Sequence, residues 1–138
     1  MEKEILKTKR EGEKTYVFDP IRKKYVVLTA EEWVRQQLLV HLITVKKYPS
    51  SLLSVEKQLL VGTRKRRYDI VVYKLDKPWL IIECKRDTEI LNDNVMQQIL
   101  SYNSALCVSF LVVCNGKELF CYDTKQHSWQ NQLPNYDT

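Results

Sequence analysis

Two apolar runs separated by a short polar segment constrain the fold of this chain more than any other feature. The runs are YDIVVY, residues 68–73, and WLIIECK, residues 79–85, and the segment KLDKP connects them. Runs rich in β-branched and aromatic residues on either side of so short a connection predict an antiparallel hairpin within a sheet. Glu83 and Lys85 are then unexpected, because isolated charges in a dry interior are costly unless they are paired, neutralised or bound to a metal.

The hairpin brings two carboxylates together. A turn centred at Leu75 and Asp76, or at Asp76 alone, places Asp69 opposite Ile82 or Glu83. Strand alternation puts Glu83 and Lys85 on one face, and cross-strand neighbours have Cβ atoms about 4.5–5.5 Å apart. Two carboxylates at that spacing can share a divalent cation such as Mg²⁺, and an ammonium beside them can stabilise a phosphodiester under attack. The sequence therefore predicts a hydrolytic site at the end of this hairpin.

The rest of the chain predicts a single α/β domain with a central mixed sheet. The residue patterns indicate two short strands, a helix, three strands, a second helix and two further strands. The corresponding segments are KTYVFDPIRKKYVVL, TAEEWVRQQLLVHLITVKK, LLSVEKQLLV, RRYDIVVYKL, WLIIECK, NDNVMQQILSYNSAL, FLVVCNG and LFCYD. We expect one domain over residues 1–138, with irregular ends at about 1–14 and 126–138.

These motifs together resemble the PD-(D/E)xK nuclease superfamily. Asp69, thirteen intervening residues and then Glu83-Cys84-Lys85 match its pattern, although Tyr68 stands where the family name has proline. The predicted order helix, three strands, helix, strand is similar to its core. More narrowly, the segments TAEEWVRQQLL, SVEKQLLV, YDIVVY, WLIIECK and QILSYN resemble the N-terminal domain of type I restriction enzyme R subunits, in a short stand-alone form.

The resemblance implies a restriction-endonuclease-like fold and a Mg²⁺-dependent DNA endonuclease, in which Mn²⁺ substitutes for Mg²⁺. Such a protein acts by itself or as the nuclease module of a restriction or repair system. Asp69 and Glu83 would be metal ligands, and Lys85 would orient or activate the attacking water. The expected partners are DNA and other subunits of a restriction system, and a homodimer is compatible with this function.

The resemblance also implies an acidic residue on the first helix and a Gln-xxx-Tyr motif on the second. Glu31 and Glu32 are both candidates, and we favour Glu31 as a catalytic residue and metal ligand. Glu32 is accounted for by a capping box with Thr29, whereas Glu31 lies on the apolar stripe that is expected to face the sheet. Gln98 and Tyr102 match the second motif and lie one helical turn apart, where they can reach the site or the DNA backbone.

A basic segment directly precedes Asp69. It consists of Arg64, Lys65, Arg66 and Arg67. The formal net charge of +5 and the pI near 9.0 favour an anionic partner. We expect these side chains to bind phosphates and bring the DNA backbone to the metal, and the alternative is a solvated loop.

The sequence is also compatible with functions other than catalysis. One is a nucleic-acid-binding or assembly module that keeps the nuclease fold without turnover, and another is an adaptor for acidic proteins, which rests on net charge alone. Glu56 is expected at a solvent-facing strand position and is left out of the site. No stretch has the roughly 18 apolar residues of a membrane helix, and the charged N-terminus is unlike a signal peptide. We therefore expect a cytoplasmic protein without a membrane partner.

Overall fold

The computed structural model describes residues 5–137, which form a six-stranded mixed sheet, a separate three-stranded sheet and two α-helices. The strands are β1 (Thr8–Glu11), β2 (Lys14–Asp19), β3 (Lys24–Val27), β4 (Leu53–Val61), β5 (Arg64–Lys74), β6 (Lys77–Cys84), β7 (Phe110–Cys114), β8 (Leu119–Asp123) and β9 (Ser128–Gln130). The helices are α1 (Ala30–Thr44) and α2 (Asp93–Tyr102), with a short 3₁₀ turn at Ser50–Leu52. Neither helix of the described part is long and apolar enough to span a membrane.

The large sheet has the order β4-β5-β6-β7-β8-β9, which confirms the predicted central mixed sheet. Strands β6 and β7 pair in parallel, and all the other neighbouring pairs are antiparallel. Helix α2 lies in the connection from β6 to β7, because parallel neighbours need a crossover.

The predicted hairpin is formed by β5 and β6. Ile70 pairs with Ile82, and a bulge after Val72 changes the register towards the turn, where Leu75 and Asp76 have positive φ angles of 52° and 62°. Two successive residues with positive φ are typical of a tight hairpin turn. Continuing the register of Ile70 and Ile82 by one residue brings Asp69 opposite Glu83, one of the two arrangements left open by the sequence.

Apolar side chains cover both faces of the large sheet. On one face, Val34 and Leu38 of α1 pack in a cluster with Ile70 and Ile82. On the other face, one cluster includes Val71 and Ile81, and a second joins Met96 and Ile99 of α2 to Val113 of β7. The alternation of neighbouring residues between these clusters means that α1 and α2 cover opposite faces.

Both ends contain strands that the sequence did not predict. The polar strand β1 pairs with β2 around Gly12, so the expectation of irregular structure over residues 1–14 is wrong for Thr8–Glu11. Residues 1–4 and 138 lie outside the described part. The expectation for 126–138 is wrong at β9, where Trp129 packs against Tyr122 with ring centroids 5.0 Å apart. Backbone pairing forms these strands, and their short sequences carry no apolar alternation that would indicate it.

Candidate nuclease site

Asp69 lies where the pairing between strands β4 and β5 is interrupted. They pair on both sides of Glu56 and Asp69 but not at these two residues, and Glu56 has a φ of 55°. Val55 packs in the cluster under α1, whereas Leu59, also at an odd position, packs on the opposite face. The inward face of the strand therefore changes here, and Asp69 lies at the point of change.

Two hydrogen bonds orient the Asp69 carboxylate. Its Oδ2 accepts a hydrogen bond of 2.7 Å from the backbone N–H of Cys84, and its Oδ1 accepts one of 3.1 Å from Nη1 of Arg35. Burial raises the pKa of Asp69, although these two donors act in the opposite direction. The negative charges of Glu31 and Glu83 also raise the pKa of Asp69. A cation among these groups would relieve the repulsion between them.

Glu83 carries a buried oxygen without a hydrogen bond. Its side chain is 15% exposed, and its Oε1 accepts no hydrogen bond from the described residues. The nearest positive group is Nη2 of Arg66, at 3.7 Å, which is beyond hydrogen-bonding distance. An unsatisfied buried carboxylate oxygen beside a second carboxylate fits a hard divalent cation.

The residues present could supply only some of the ligands of a metal ion. Within residues 5–137, no three His, Cys, Asp or Glu side chains converge closely enough to hold a metal ion by themselves. Mg²⁺ in proteins usually has one or two carboxylate ligands and takes its remaining ligands from water and substrate phosphates. Asp69 and Glu83 meet that requirement, whereas Glu31 is exposed and not gathered into a cluster with them.

Lys85 follows the end of β6 at the same edge. Its backbone N–H donates a hydrogen bond of 2.8 Å to the carbonyl of Cys114, which fixes its peptide against β7. The side chain is half-buried, and its ammonium forms no hydrogen bond or ion pair with the described residues. Lys85 is therefore available to a water molecule or a phosphate oxygen.

The two glutamates at the start of α1 have opposite environments. Glu31 is exposed, so the expectation that it lies on the buried stripe of α1 is wrong, but its charge still acts on Asp69. Glu32 is only 6% exposed. Thr29 accepts the hydrogen bond from the N–H of Glu32, as predicted, but the Glu32 carboxylate binds arginines rather than completing the capping box.

A buried ionic network, which the sequence did not reveal, connects Glu32 to the site. Glu32 Oε1 lies 2.6 Å from Arg35 Nη2 and 2.9 Å from Arg22 Nη2. Burial opposes ionisation of Glu32, but hydrogen bonds from Arg35 and Gln36 outweigh it and lower the pKa of Glu32 to about 2. Arg35 in turn contacts Asp69, so the network holds one of the two central carboxylates.

Glu56 also belongs to this network. Glu56 is an exposed strand residue, as expected, but its carboxylate also lies 3.4 Å from Arg35 and 3.5 Å from Arg22. The signal in the sequence was the run Arg35-Gln36-Gln37 within an otherwise apolar stretch of helix. A buried arginine requires carboxylate partners, and Glu56 and Asp69 supply two of them from adjacent strands.

The second helix reaches the site through an arginine. Tyr102 is 57% exposed, and the Arg66 guanidinium lies 5.1 Å from its ring centroid and 5.8 Å from that of Tyr68. The same arginine is the nearest cation to Glu83. Gln98 is exposed and forms no hydrogen bond with the described residues of the site.

The basic segment is part of strand β5. Arg64, Lys65, Arg66 and Arg67 all pair with β4, so the segment is a strand and not the loop of the alternative expectation. The side chains of Arg64, Lys65 and Arg67 are exposed. Arg66 differs, since it is half-buried between Glu83 and Tyr102.

Comparison with known proteins identifies the family. The family model described as type I restriction enzyme R protein N terminus (HSDR_N) matches residues 30–135. No match was found among curated proteins. A candidate nuclease from Anabaena variabilis has a TM-score of 0.53 and 14% identity, over 91% of this chain and 83% of that one. At this low identity the likeness shows a shared fold alone.

A second solved structure is a fragment of a candidate HsdR subunit of a type I restriction enzyme from Vibrio vulnificus. It is 21% identical, with a TM-score of 0.47, over 62% of this chain. This chain spans 19% of the length of that fragment. The family match is the stronger finding, because it extends from the first residue of α1 to beyond β9. The chain therefore belongs to the family of type I restriction enzyme R protein N-terminal domains.

Proposed function

We propose that this domain is a Mg²⁺-dependent nuclease that hydrolyses phosphodiester bonds of DNA, as the nuclease module of a restriction system. The observation that carries the proposal is the buried, unsatisfied oxygen of Glu83, on the strand next to the one that carries Asp69. A buried carboxylate oxygen without a donor is costly, and a divalent cation would remove that cost. The proposed partners are DNA and the other subunits of such a system, and a homodimer is compatible with the site.

Each residue has a distinct proposed role. Asp69 and Glu83 hold Mg²⁺ or Mn²⁺, and Glu31 supplies a third negative charge near them. When bound, the metal supplies charge stabilisation for the attacked phosphate and lowers the pKa of water. Lys85, whose ammonium has no partner among the described residues, orients the attacking water and stabilises negative charge. Gln98 and Tyr102, on the exposed face of α2, contact the DNA backbone.

Metal binding that depends on Asp69 is the first expected result. Asp69→Asn keeps the size of the side chain and its acceptor for the N–H of Cys84 but removes a charged metal ligand. We expect its affinity for Mg²⁺, measured by calorimetric titration without DNA, to fall at least about tenfold. Glu118→Gln, on the exposed turn between β7 and β8, is the matched control and should bind as the wild type does. Equal affinities in Asp69→Asn and the wild type would remove Asp69 from the metal site.

A dependence of DNA affinity on salt is the second expected result. Arg64 and Arg67 are exposed on the strand that carries Asp69, so we propose that they bind backbone phosphates. Replacing both with Ala should weaken binding equally for unrelated duplex sequences, because phosphates carry no base identity. The slope of log affinity against log salt should decrease by about 0.9 for each phosphate that the variant no longer binds.

Binding would be measured with Ca²⁺ in place of Mg²⁺, on the expectation that Ca²⁺ occupies the site without supporting cleavage. Lys117→Ala with Lys125→Ala, which removes the same charge from exposed positions near β8, is the control. An unchanged salt slope in the arginine variant would mean that DNA enters from another direction.

One observation favours a second candidate function, a nucleic-acid-binding module without turnover. Asp69 is already paired with Arg35, and Glu83 has Arg66 as a neighbouring cation, so arginines partly neutralise both carboxylates. The folded chain therefore provides part of the charge compensation of these carboxylates without a metal. The two functions differ in whether DNA is cleaved.

A further inference from the structure

The three-stranded sheet β1-β2-β3 presents a row of aromatic side chains on its outward face. Phe18 is paired with Tyr25 across β2 and β3, and Tyr16 lies two residues before Phe18 on the same face. The next residues along β2, Val17 and Asp19, point to the opposite face and are fully buried. All three rings are half-buried, so the outward face is partly open to solvent.

The ammoniums of two exposed lysines lie over these rings. The ammonium of Lys7 lies 4.9 Å from the centroid of Phe18, and that of Lys9 lies 4.3 Å from the centroid of Tyr25. Both lysines are exposed. The two rings also pack edge-to-face on each other at 5.3 Å, and Lys9 forms an ion pair of 3.0 Å with the exposed Glu11. Exposed ammoniums, rather than core side chains, therefore lie over the rings.

The same segment carries most of the net positive charge. Residues 5–27 contain seven Lys or Arg and three Asp or Glu, a net charge of +4 out of +5 for the whole chain. Arg22 and the fully buried Asp19 form an ion pair at 2.7 Å and cancel each other. The remaining charged side chains of the segment are all exposed, and they retain the net charge of +4.

We propose that this outward face, which we define by Lys7, Lys9, Tyr16, Phe18 and Tyr25, binds single-stranded nucleic acid. Bases stack on Phe18 and Tyr25 in place of the two lysine ammoniums, and the displaced ammoniums bind the neighbouring phosphates. A duplex has no free base faces and cannot bind in this way. An acidic peptide could use the lysines but would have no need of the open rings.

This surface is separate from the proposed nuclease site. The matched family region begins at residue 30, after β3, so the surface lies outside it. Its orientation to the rest of the molecule is fixed by hydrogen bonds, since Gln36 of α1 donates to Asp19 at 2.9 Å and Arg22 donates to Glu32 at 2.9 Å. A strand bound here would therefore be held in a defined place relative to α1 and the site beside it.

The test compares two oligonucleotides with equal charge. Binding of the full chain to oligothymidine of about 16 nucleotides, and to an abasic oligomer with the same number of phosphates, is measured by fluorescence anisotropy in EDTA. We expect oligothymidine to bind at least about tenfold more tightly, because it alone supplies bases for stacking. Equal affinities would overturn the proposal. The same comparison with oligouridine and an abasic RNA determines whether RNA binds by the same surface.

The variants separate stacking from charge. Phe18→Leu with Tyr25→Leu should abolish the preference for oligothymidine while leaving affinity for the abasic oligomer unchanged. Lys7→Gln with Lys9→Gln should weaken both complexes and reduce the salt slope by about 0.7 for each phosphate released. Lys117→Gln with Lys125→Gln is the charge-matched control and should have little effect. A full preference for oligothymidine in the folded leucine variant would overturn the proposal.

A crosslinking measurement on the wild type tests the proposal even if the leucine variant does not fold. Oligonucleotides containing bromodeoxyuridine are crosslinked to the protein by light, and the crosslinked peptides are sequenced. We expect crosslinks within residues 5–27, and crosslinks confined to the rest of the chain would contradict the proposed surface. Because EDTA removes Mg²⁺, the result does not depend on whether the Asp69 and Glu83 site is a nuclease.

Discussion

Replacing Glu83 with Gln is expected to lower the rate of DNA cleavage at least ~100-fold, the effect typical of losing one preorganised electrostatic group. The substitution keeps the shape of the side chain and removes its charge. It should leave the fold intact, because Glu83 lies at the end of β6 and its Oε1 accepts no hydrogen bond from the described residues. Initial rates would be measured on a labelled duplex at saturating Mg²⁺, with circular dichroism to verify folding.

Two further variants make this comparison specific. Lys85→Gln should cause a loss of similar size, since its ammonium is the one proposed to stabilise charge at the reacting phosphate. Glu118→Gln removes one negative charge from an exposed turn and should cleave at the rate of the wild type. Full activity in Glu83→Gln or Lys85→Gln would show that the catalytic assignment is incorrect.

Replacing Glu32 with Gln should lower the free energy of unfolding by about 3 kcal/mol, because it removes the shortest of the carboxylate contacts of the buried Arg35, which keeps only Asp69 and the exposed Glu56 among the described residues. Arg35 is 8% exposed and makes its shortest ion pair, of 2.6 Å, with Glu32. Glu31→Gln is the matched control one residue earlier, and its exposed side chain predicts a change within about 0.5 kcal/mol. Urea denaturation at neutral pH measures both.

Glu32→Gln should cause the larger loss of stability, whereas Glu31→Gln should cause the larger loss of cleavage rate. At a temperature where both are folded, Glu31→Gln should lower the cleavage rate more than Glu32→Gln, because the charge of Glu31 acts on Asp69. A stable Glu32→Gln variant would show that the ionic network contributes little to folding. Faster cleavage by Glu31→Gln than by Glu32→Gln would assign the acidic role to Glu32.

Acid should destabilise the wild type through the same residue. The pKa of Glu32 is about 2 in the folded protein, below its ordinary value of 4.5, so the folded state favours the charged form. The resulting stabilisation is fully present above pH 4.5, is lost as the pH falls towards 2, and is on the order of 3 kcal/mol. Glu32→Gln should lack this part of the pH dependence, which denaturation curves across that range would detect.

The sequence contained enough information to predict the hairpin and its two central carboxylates. The connection between YDIVVY and WLIIECK is so short that only a few pairing registers are possible. The prediction left two registers open, and the hairpin contains both, one on each side of the bulge after Val72. The local sequence was sufficient because a short connection leaves few registers for the antiparallel pairing of two strands.

The contacts of Arg35 with Asp69 and Glu56 could not be predicted from local sequence patterns. Arg35 lies 34 residues from Asp69 and 21 from Glu56, so their contacts depend on how α1 packs on the sheet. The positive φ of Glu56 gives no signal in the sequence SVEK, yet it accompanies the change of inward face at which Asp69 lies. Strand β1 was missed for a related reason, since its residues are all exposed and its structure comes from backbone pairing.

Cleavage of DNA by the wild type is the measurement that tests the proposed function most directly. Supercoiled plasmid would be incubated with the purified chain in Mg²⁺, in Mn²⁺ and in EDTA, beside Glu83→Gln under the same conditions. The nuclease site predicts nicked or linear products with either metal, none in EDTA, and a rate at least ~100-fold lower for the variant. An intact plasmid in both metals, with DNA still bound, would contradict catalysis and identify the domain as a nucleic-acid-binding module.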